Sequence, residues 1–289
     1  MTLAAASPGA PVGIFDSGVG GLSVWRQLVH HLPAESLLYL ADQAHVPYGN
    51  RSAAEIQAYC LAIGDHLVQA GCKAIVVACN TASAVALQPL RQRFPQLPIL
   101  GLEPAVKPAV ALTRSGVVGV MATPATFHGE LYRATVGRCA GDVRVVEQVC
   151  IGLADLVEQG QLEGPECDAT LRRFLEPMLA AGADTIVLGC THYPFVIEAI
   201  RRLVGPGLAV LDPAPAVARH LREVLRERNL LHPGREPALP SDPGRHHFCT
   251  SGDPQAFDRA LARLLGLHHC SQPLQWCLAP EAGAALRPR

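Results

Sequence analysis

Short apolar runs alternate with longer amphipathic stretches along most of this chain. Eight runs have the length and β-branched content of buried strands: Pro11 to Phe15, Leu37 to Leu40, Ala74 to Ala78, Ile99 to Leu102, Val117 to Met121, Val143 to Val146, Thr185 to Leu188 and Leu208 to Leu211. Between them, segments such as 51–70 and 168–181 place apolar residues at helical spacing. Alternation of this kind predicts an α/β protein whose sheets are mainly parallel and flanked by helices. Two stretches break the rhythm: 232–244 is rich in Pro and Gly and reads as a loop, and 271–289 carries little periodicity.

A longer period lies over the short one. Ile75-Val76-Val77-Ala78 ends on Cys79-Asn80-Thr81, and Ile186-Val187-Leu188-Gly189 ends on Cys190-Thr191-His192. Ala70-Gly71 precedes the first copy, and Ala181-Gly182 precedes the second. Upstream, Gly13-Ile14-Phe15-Asp16-Ser17 opens one half and Gly119-Val120-Met121-Ala122-Thr123 opens the other. The repeat predicts two similar domains. The first spans 10–104 and is completed by 211–268, the second spans 105–210, and 1–9 and 269–289 are expected to be loosely ordered tails.

Composition removes several classes of function. A chain of 289 residues, 49% hydrophobic and with a formal net charge of −1, can bury a full core. It has no long run of one charge sign, so no direct nucleic-acid partner is expected. With no export signal and no apolar run long enough to span a bilayer, it reads as a cytoplasmic protein without a membrane partner. Ten cysteines follow no repeating pattern and suit buried hydrophobic positions better than a disulfide framework. Lys73 and Lys107 are the only lysines, and neither stands in a context that suits a pyridoxal-phosphate Schiff base. His246, His247 and Cys249, with His268, His269 and Cys270, match no common zinc spacing, so no metal is expected.

The candidate chemistry gathers at the two matched cysteines. Ligands bind outside the carboxyl ends of parallel strands, where Cys79 and Cys190 both fall. Each precedes an expected helix start, which favours thiolate over thiol. A redox pair is usually Cys-X-X-Cys, which is absent, and a zinc site would need two more ligands where only His192 is near. A cysteine hydrolase would leave the twin thiol unexplained. Two thiols on opposite faces of one carbon meet the requirement of stereochemical inversion, because one removes a proton and the other returns one from the far side.

Two further stretches have both a chemical and a plain structural reading. Phe15-Asp16-Ser17-Gly18-Val19-Gly20-Gly21 lacks the Gly-Lys-Ser/Thr ending of a P-loop and the spacing of a dinucleotide fingerprint. Its glycines would let backbone amides approach an anionic carboxylate, with Asp16 and Ser17 turned into the cleft; otherwise Asp16 is a helix cap. Pro47-Tyr48-Gly49-Asn50-Arg51-Ser52 is a turn leading into a capped helix, or a backbone cradle for a carboxylate around Tyr48 and Gly49.

Taken in order, Gly13 to Gly21, Ala41 to Gly49, Cys79-Asn80-Thr81-Ala82, Thr123-Pro124-Ala125-Thr126, Gly189-Cys190-Thr191-His192-Tyr193-Pro194, and Thr250-Ser251-Gly252-Asp253 with Phe257 resemble the aspartate/glutamate racemase family, and within it the glutamate racemases. The resemblance implies two similar α/β domains with the active site in the cleft between them, a homodimer, and no cofactor. It implies interconversion of L-glutamate and D-glutamate, supplying D-glutamate for peptidoglycan. Cys79 would act on D-glutamate and Cys190 on L-glutamate, with Asp16 and His192 assisting the neighbouring thiols and Glu158 a further acidic position near the second. Asp16, Ser17, Tyr48, Gly49, Asn80, Thr81, Thr123, Thr126, Thr191 and His192 would surround the substrate's amino and carboxyl groups. Two alternatives stay open: an aspartate racemase of the same family, and a racemase with a second role as a DNA gyrase regulator.

Overall fold

The computed structural model describes residues 7–234, 245–279 and 283–289. Eleven strands appear among them: β1 (Val12–Asp16), β2 (Leu37–Ala41), β3 (Ala74–Val77), β4 (Ile99–Gly101), β5 (Val117–Ala122), β6 (Arg144–Val149), β7 (Thr185–Gly189), β8 (Ala209–Leu211), β9 (His246–Thr250), β10 (Gln272–Ala279) and β11 (Gly283–Pro288). They form one sheet in the order β11-β10-β9-β2-β1-β3-β4 and a second in the order β6-β5-β7-β8. The stretch β2-β1-β3-β4 and the whole second sheet share one winding, all parallel. In each, the chain leaves the central strand to one side and returns on the other. That reversal opens a crevice at the carboxyl ends of β1 and β3, and of β5 and β7.

The sequence explains which strands are central. β1 is Val-Gly-Ile-Phe-Asp and is buried at every position, as is β3. Such runs suit strands covered by helices on both faces. β6, Arg-Val-Val-Glu-Gln-Val, is partly exposed throughout and lies at an edge. Alternation sorts the central side chains: Ile14 and Val76 join one hydrophobic cluster, while Phe15 and Val77 join another on the opposite face. The first cluster runs on through Met121, Leu188 and Tyr193, so the two sheets share core packing.

After β8 the chain returns to the first sheet. Helix Ala214–Glu227 packs on helix Leu22–His31, and β9 pairs in parallel with β2. β9 is absent from the expected strands because its sequence, His-His-Phe-Cys-Thr, resembles a ligand cluster more than a core strand. The strand conformation separates those groups: His246 packs edge-on against Trp25, while Cys249 joins the cluster on the other face.

The tail needs correction. Residues 269–289, expected to be loosely ordered, carry β10 and β11, an antiparallel pair that extends the first sheet through β9. Within 1–9, Pro8 is held by its carbonyl, which accepts from Lys73 Nζ, and the same ammonium pairs with buried Glu35. Residues 1–6 of that expected tail, and 235–244 of the expected loop, lie outside the described residues. Among the described residues no helix is long and apolar enough to cross a membrane.

Candidate active site

Hydrogen bonds between the loops that follow the strands of the two sheets join the two crevices, and each sheet brings one of the matched cysteines to this junction. Cys79 follows β3 in extended conformation (φ −146°, ψ 120°) and caps helix Asn80–Arg93, its sulfur accepting from the Ala82 amide at 3.4 Å. Cys190 follows β7, but no long helix starts there. A short turn, Tyr193–Val196, intervenes, and the Cys190 sulfur instead meets His192 Nδ1 at 3.6 Å. Both thiols are buried.

Their electrostatic settings differ, which corrects the expectation that each sits where a thiolate is favoured. Burial raises the Cys79 thiol well above its ordinary value, and the Asp16 carboxylate raises it further. The amides of Ala82 and Ser17 act in the opposite sense and do not overcome this. Beside Cys190, burial alone would lower His192, but hydrogen bonds to Cys190 and Glu158 carry it well above the ordinary histidine range. Burial would raise Glu158, and His192 with the Val19 amide brings it below the usual glutamate value. The result is a carboxylate and an imidazolium in line with Cys190: Glu158 Oε1 to His192 Nε2 at 2.8 Å, then His192 Nδ1 to the sulfur.

Asp16 ends β1 with both oxygens engaged, accepting from the Gly18 amide at 2.8 Å and from the Thr191 hydroxyl at 3.0 Å. It is no helix cap: helix Leu22–His31 begins after Gly21 without a side-chain cap. Burial pushes its carboxyl up to about 6. The glycine-rich stretch that follows does receive a carboxylate, but one from the protein itself. The Val19 amide donates to Glu158 Oε1 at 2.8 Å. A Cβ at Gly18 would fall on that same oxygen, and one at Gly20 would collide with the His192 ring and stand 2.7 Å from Thr191 Oγ1. These glycines leave room for the second sheet's polar side chains to reach into the first.

The remaining expected residues converge as well. Asn80 is buried with neither amide atom hydrogen-bonded to the protein, whereas buried amides are ordinarily paired. Thr81, Thr123 and Thr126 form a chain of hydroxyls at 2.9 Å and 3.0 Å that crosses from one sheet's loops to the other's. Ser17 is buried beside Asp16, and a Cβ on Gly49 would stand 3.5 Å from Thr123. Tyr48 is different: its ring is buried in the first sheet's core and its hydroxyl donates to Asp42 at 2.8 Å, so only its backbone faces the cleft loops. The turn reading of 47–52 holds: a short turn at Tyr48–Asn50 leads into helix Ala53–Gln69 through a Ser52/Glu55 capping box.

Three supports were not singled out from sequence. Ser23 donates to the Thr191 carbonyl at 2.9 Å, Tyr39 donates to the Gly18 carbonyl at 2.8 Å, and Gln43 reaches Glu158 Oε2 at 3.5 Å. Gln43 lies inside the quoted 41–49 motif, but nothing in the sequence says which distant carboxylate it meets.

Comparison with known proteins gives a consistent picture. A family model described as Asp/Glu/Hydantoin racemase matches residues 12–221. The chain is 51% identical over 257 residues to the glutamate racemase of Stutzerimonas stutzeri, covering 89% of this chain and 94% of that one. Among solved structures, a glutamate racemase of Bacillus anthracis superposes with a TM-score of 0.80 at 30% identity, covering 91% of this chain and 97% of that chain. A glutamate racemase of Francisella tularensis in complex with D-glutamate superposes with a TM-score of 0.78 at 28% identity, covering 91% and 96%.

Proposed function

This chain belongs to the Asp/Glu/Hydantoin racemase family and is an amino-acid racemase, and from that premise we propose that it interconverts L- and D-glutamate by a two-base mechanism carried by Cys79 and Cys190. The observation that carries this reading is the pairing of two buried cysteines in matched positions of two like-wound sheets, each with its own acidic or basic partner.

In the direction from L to D, Cys190 takes the Cα proton as thiolate, with the imidazolium of His192 beside it and Glu158 fixing that ring. Cys79, held as a thiol by burial and by Asp16, returns a proton to the opposite face. In the reverse direction Asp16, poised near 6, is the group that can take the Cys79 proton as D-glutamate binds. The carbanionic transition state gains charge on the substrate carboxylate. Fixed donors around that group, from Asn80, the threonine hydroxyls and the backbone of Tyr48 and Gly49, stabilise it without reorganisation.

Several finer points travel with this reading. Supply of D-glutamate to peptidoglycan, a cytoplasmic location and a homodimer are proposed on the family resemblance. The aspartate alternative is not favoured, since the curated relatives at about 50% identity are glutamate racemases; no observation here favours a gyrase-directed role.

The test is a circular-dichroism assay of purified protein with L-glutamate, and separately with D-glutamate and L-aspartate, without added cofactor. Decay of ellipticity to zero from either glutamate enantiomer, with little change on aspartate, is the expected result. No loss of signal with glutamate would overturn the proposal.

A further inference from the structure

Asp42, directly after β2, accepts hydrogen bonds from four residues although it is fully buried. Oδ1 accepts from Ser251 Oγ at 2.6 Å and from Trp276 Nε1 at 2.8 Å. Oδ2 accepts from Tyr48 OH at 2.8 Å and lies 2.9 Å from His45 Nδ1. A carboxylate offers about four lone-pair sites, and here all four are used. Two partners belong to the loop that ends in Tyr48-Gly49, and two belong to the C-terminal part of the chain. The carboxylate is therefore the joint between them.

Trp276 is on β10, in the segment whose sequence carries no periodic signal. Its ring packs 4.9 Å from the His45 ring and 5.4 Å from that of Tyr59, while His45 stacks on Tyr59 at 3.8 Å and 10°. One face of the loop is thus closed by an aromatic box. The strand end at Thr250-Ser251 supports its start: Ser251 Oγ also accepts from the Ala44 amide at 3.0 Å, and Thr250 Oγ1 meets Gln43 Oε1 at 2.8 Å.

We infer that Trp276 is a positioning residue for substrate binding: its indole N–H fixes Asp42, Asp42 fixes Tyr48, and the Tyr48–Gly49 backbone is thereby held where it receives the substrate's carboxylate. This rests on the proposed racemase reading of the site. Trp276 touches no reacting atom. The loop backbone holds the carboxylate in the bound substrate as well as in the transition state, and such uniform binding appears in KM, so loss of the indole N–H loosens substrate binding more than it slows proton transfer.

The experiment is steady-state racemisation in both directions by the full-length protein and its Trp276→Phe variant, which keeps an aromatic ring and loses the donor. The equilibrium constant for racemisation is unity, so kcat/KM must fall by one factor in both directions, and only the split between its two parts is diagnostic. KM is expected to rise about three- to tenfold, the net effect of one ordinary hydrogen bond, since the loss reaches the loop only through Asp42, with kcat held within about twofold. Ser251→Ala removes the neighbouring donor to the same oxygen and is expected to show the same split; it stands in should Trp276→Phe fail to fold. An unchanged KM, or a loss confined to kcat, overturns the inference while leaving glutamate racemisation by the unaltered protein intact. Absence of that activity in the unaltered protein overturns the racemase reading itself, and this inference with it.

Discussion

At the scale of single residues, the site keeps groups in states that the fold disfavours. Asp16 has both oxygens hydrogen-bonded, yet burial still pushes its carboxyl from 3.8 up to about 6. An acid whose native value is raised binds its proton more tightly in the folded state, so stability falls as pH climbs from about 4 to about 6 and stays lowered above that. Asp16→Asn removes the liability. The variant is expected to be more stable than the parent by up to about 3 kcal/mol at pH 7.5, the difference vanishing below pH ~4, while racemisation is lost. Thermal unfolding followed across that pH range checks it; equal melting temperatures at pH 7.5 would count against a charged, buried Asp16. The thiols permit a sharper chemical test. Cys79→Ser and Cys190→Ser conserve shape but remove the acid–base group, and each is expected to lower racemisation by at least about 10³-fold. Full activity in either variant would sink the two-thiol mechanism.

At the scale of elements, the glycine-rich stretch after β1 works as a socket. Gly20 lies against His192 and Thr191, and Gly18 lies against Glu158. Gly20→Ala is expected to displace His192 from Cys190, lowering kcat about a hundredfold for a stability loss of about 1–3 kcal/mol, because a small misplacement at a reacting centre costs far more than a tolerated core adjustment. Kinetics and melting of the same preparation decide it, and an undiminished kcat would show that the close fit is packing alone. This socket also marks a limit of the sequence. The central strands, and both cysteines just beyond their ends, were legible because burial on both faces leaves a simple pattern; the edge strands β6 and β8 are only partly buried and were marked by their short apolar runs alone. Phe15 to Gly21 could be read as an anion cradle, but the anion turned out to be Glu158, 139 positions away. β9 and β10 were illegible for a related reason. His246, Cys249 and Trp276 are held by particular partners, Trp25 and Asp42 among them, and no local periodicity announces such contacts.

At the scale of the whole molecule, the duplicated winding sets one thiol on each wall of a single cleft, and the walls are locked by bonds that cross between them. Thr191 donates to Asp16, the Val19 amide donates to Glu158, Ser23 donates to the Thr191 carbonyl, and Thr81 meets Thr123. On the proposed two-base mechanism, a substrate carbon between the joined walls would be approached from one face by Cys79 and from the other by Cys190, with neither sulfur crossing the site. The proton removed and the proton delivered are then different atoms. Thiol hydrogens exchange with solvent, so in deuterium oxide the first D-glutamate formed from L-glutamate should carry deuterium at Cα, while the unreacted L-glutamate stays protiated at low conversion. The reverse reaction should show the same asymmetry from the other side. A single shuttling base would behave differently, returning part of the original protium to the product and washing deuterium back into the substrate as the intermediate partitions. Mass analysis of the separated enantiomers at a few per cent conversion distinguishes the two. Substantial protium in the early product would mean that one base serves both faces, and the matched placement of Cys79 and Cys190 would then need another explanation.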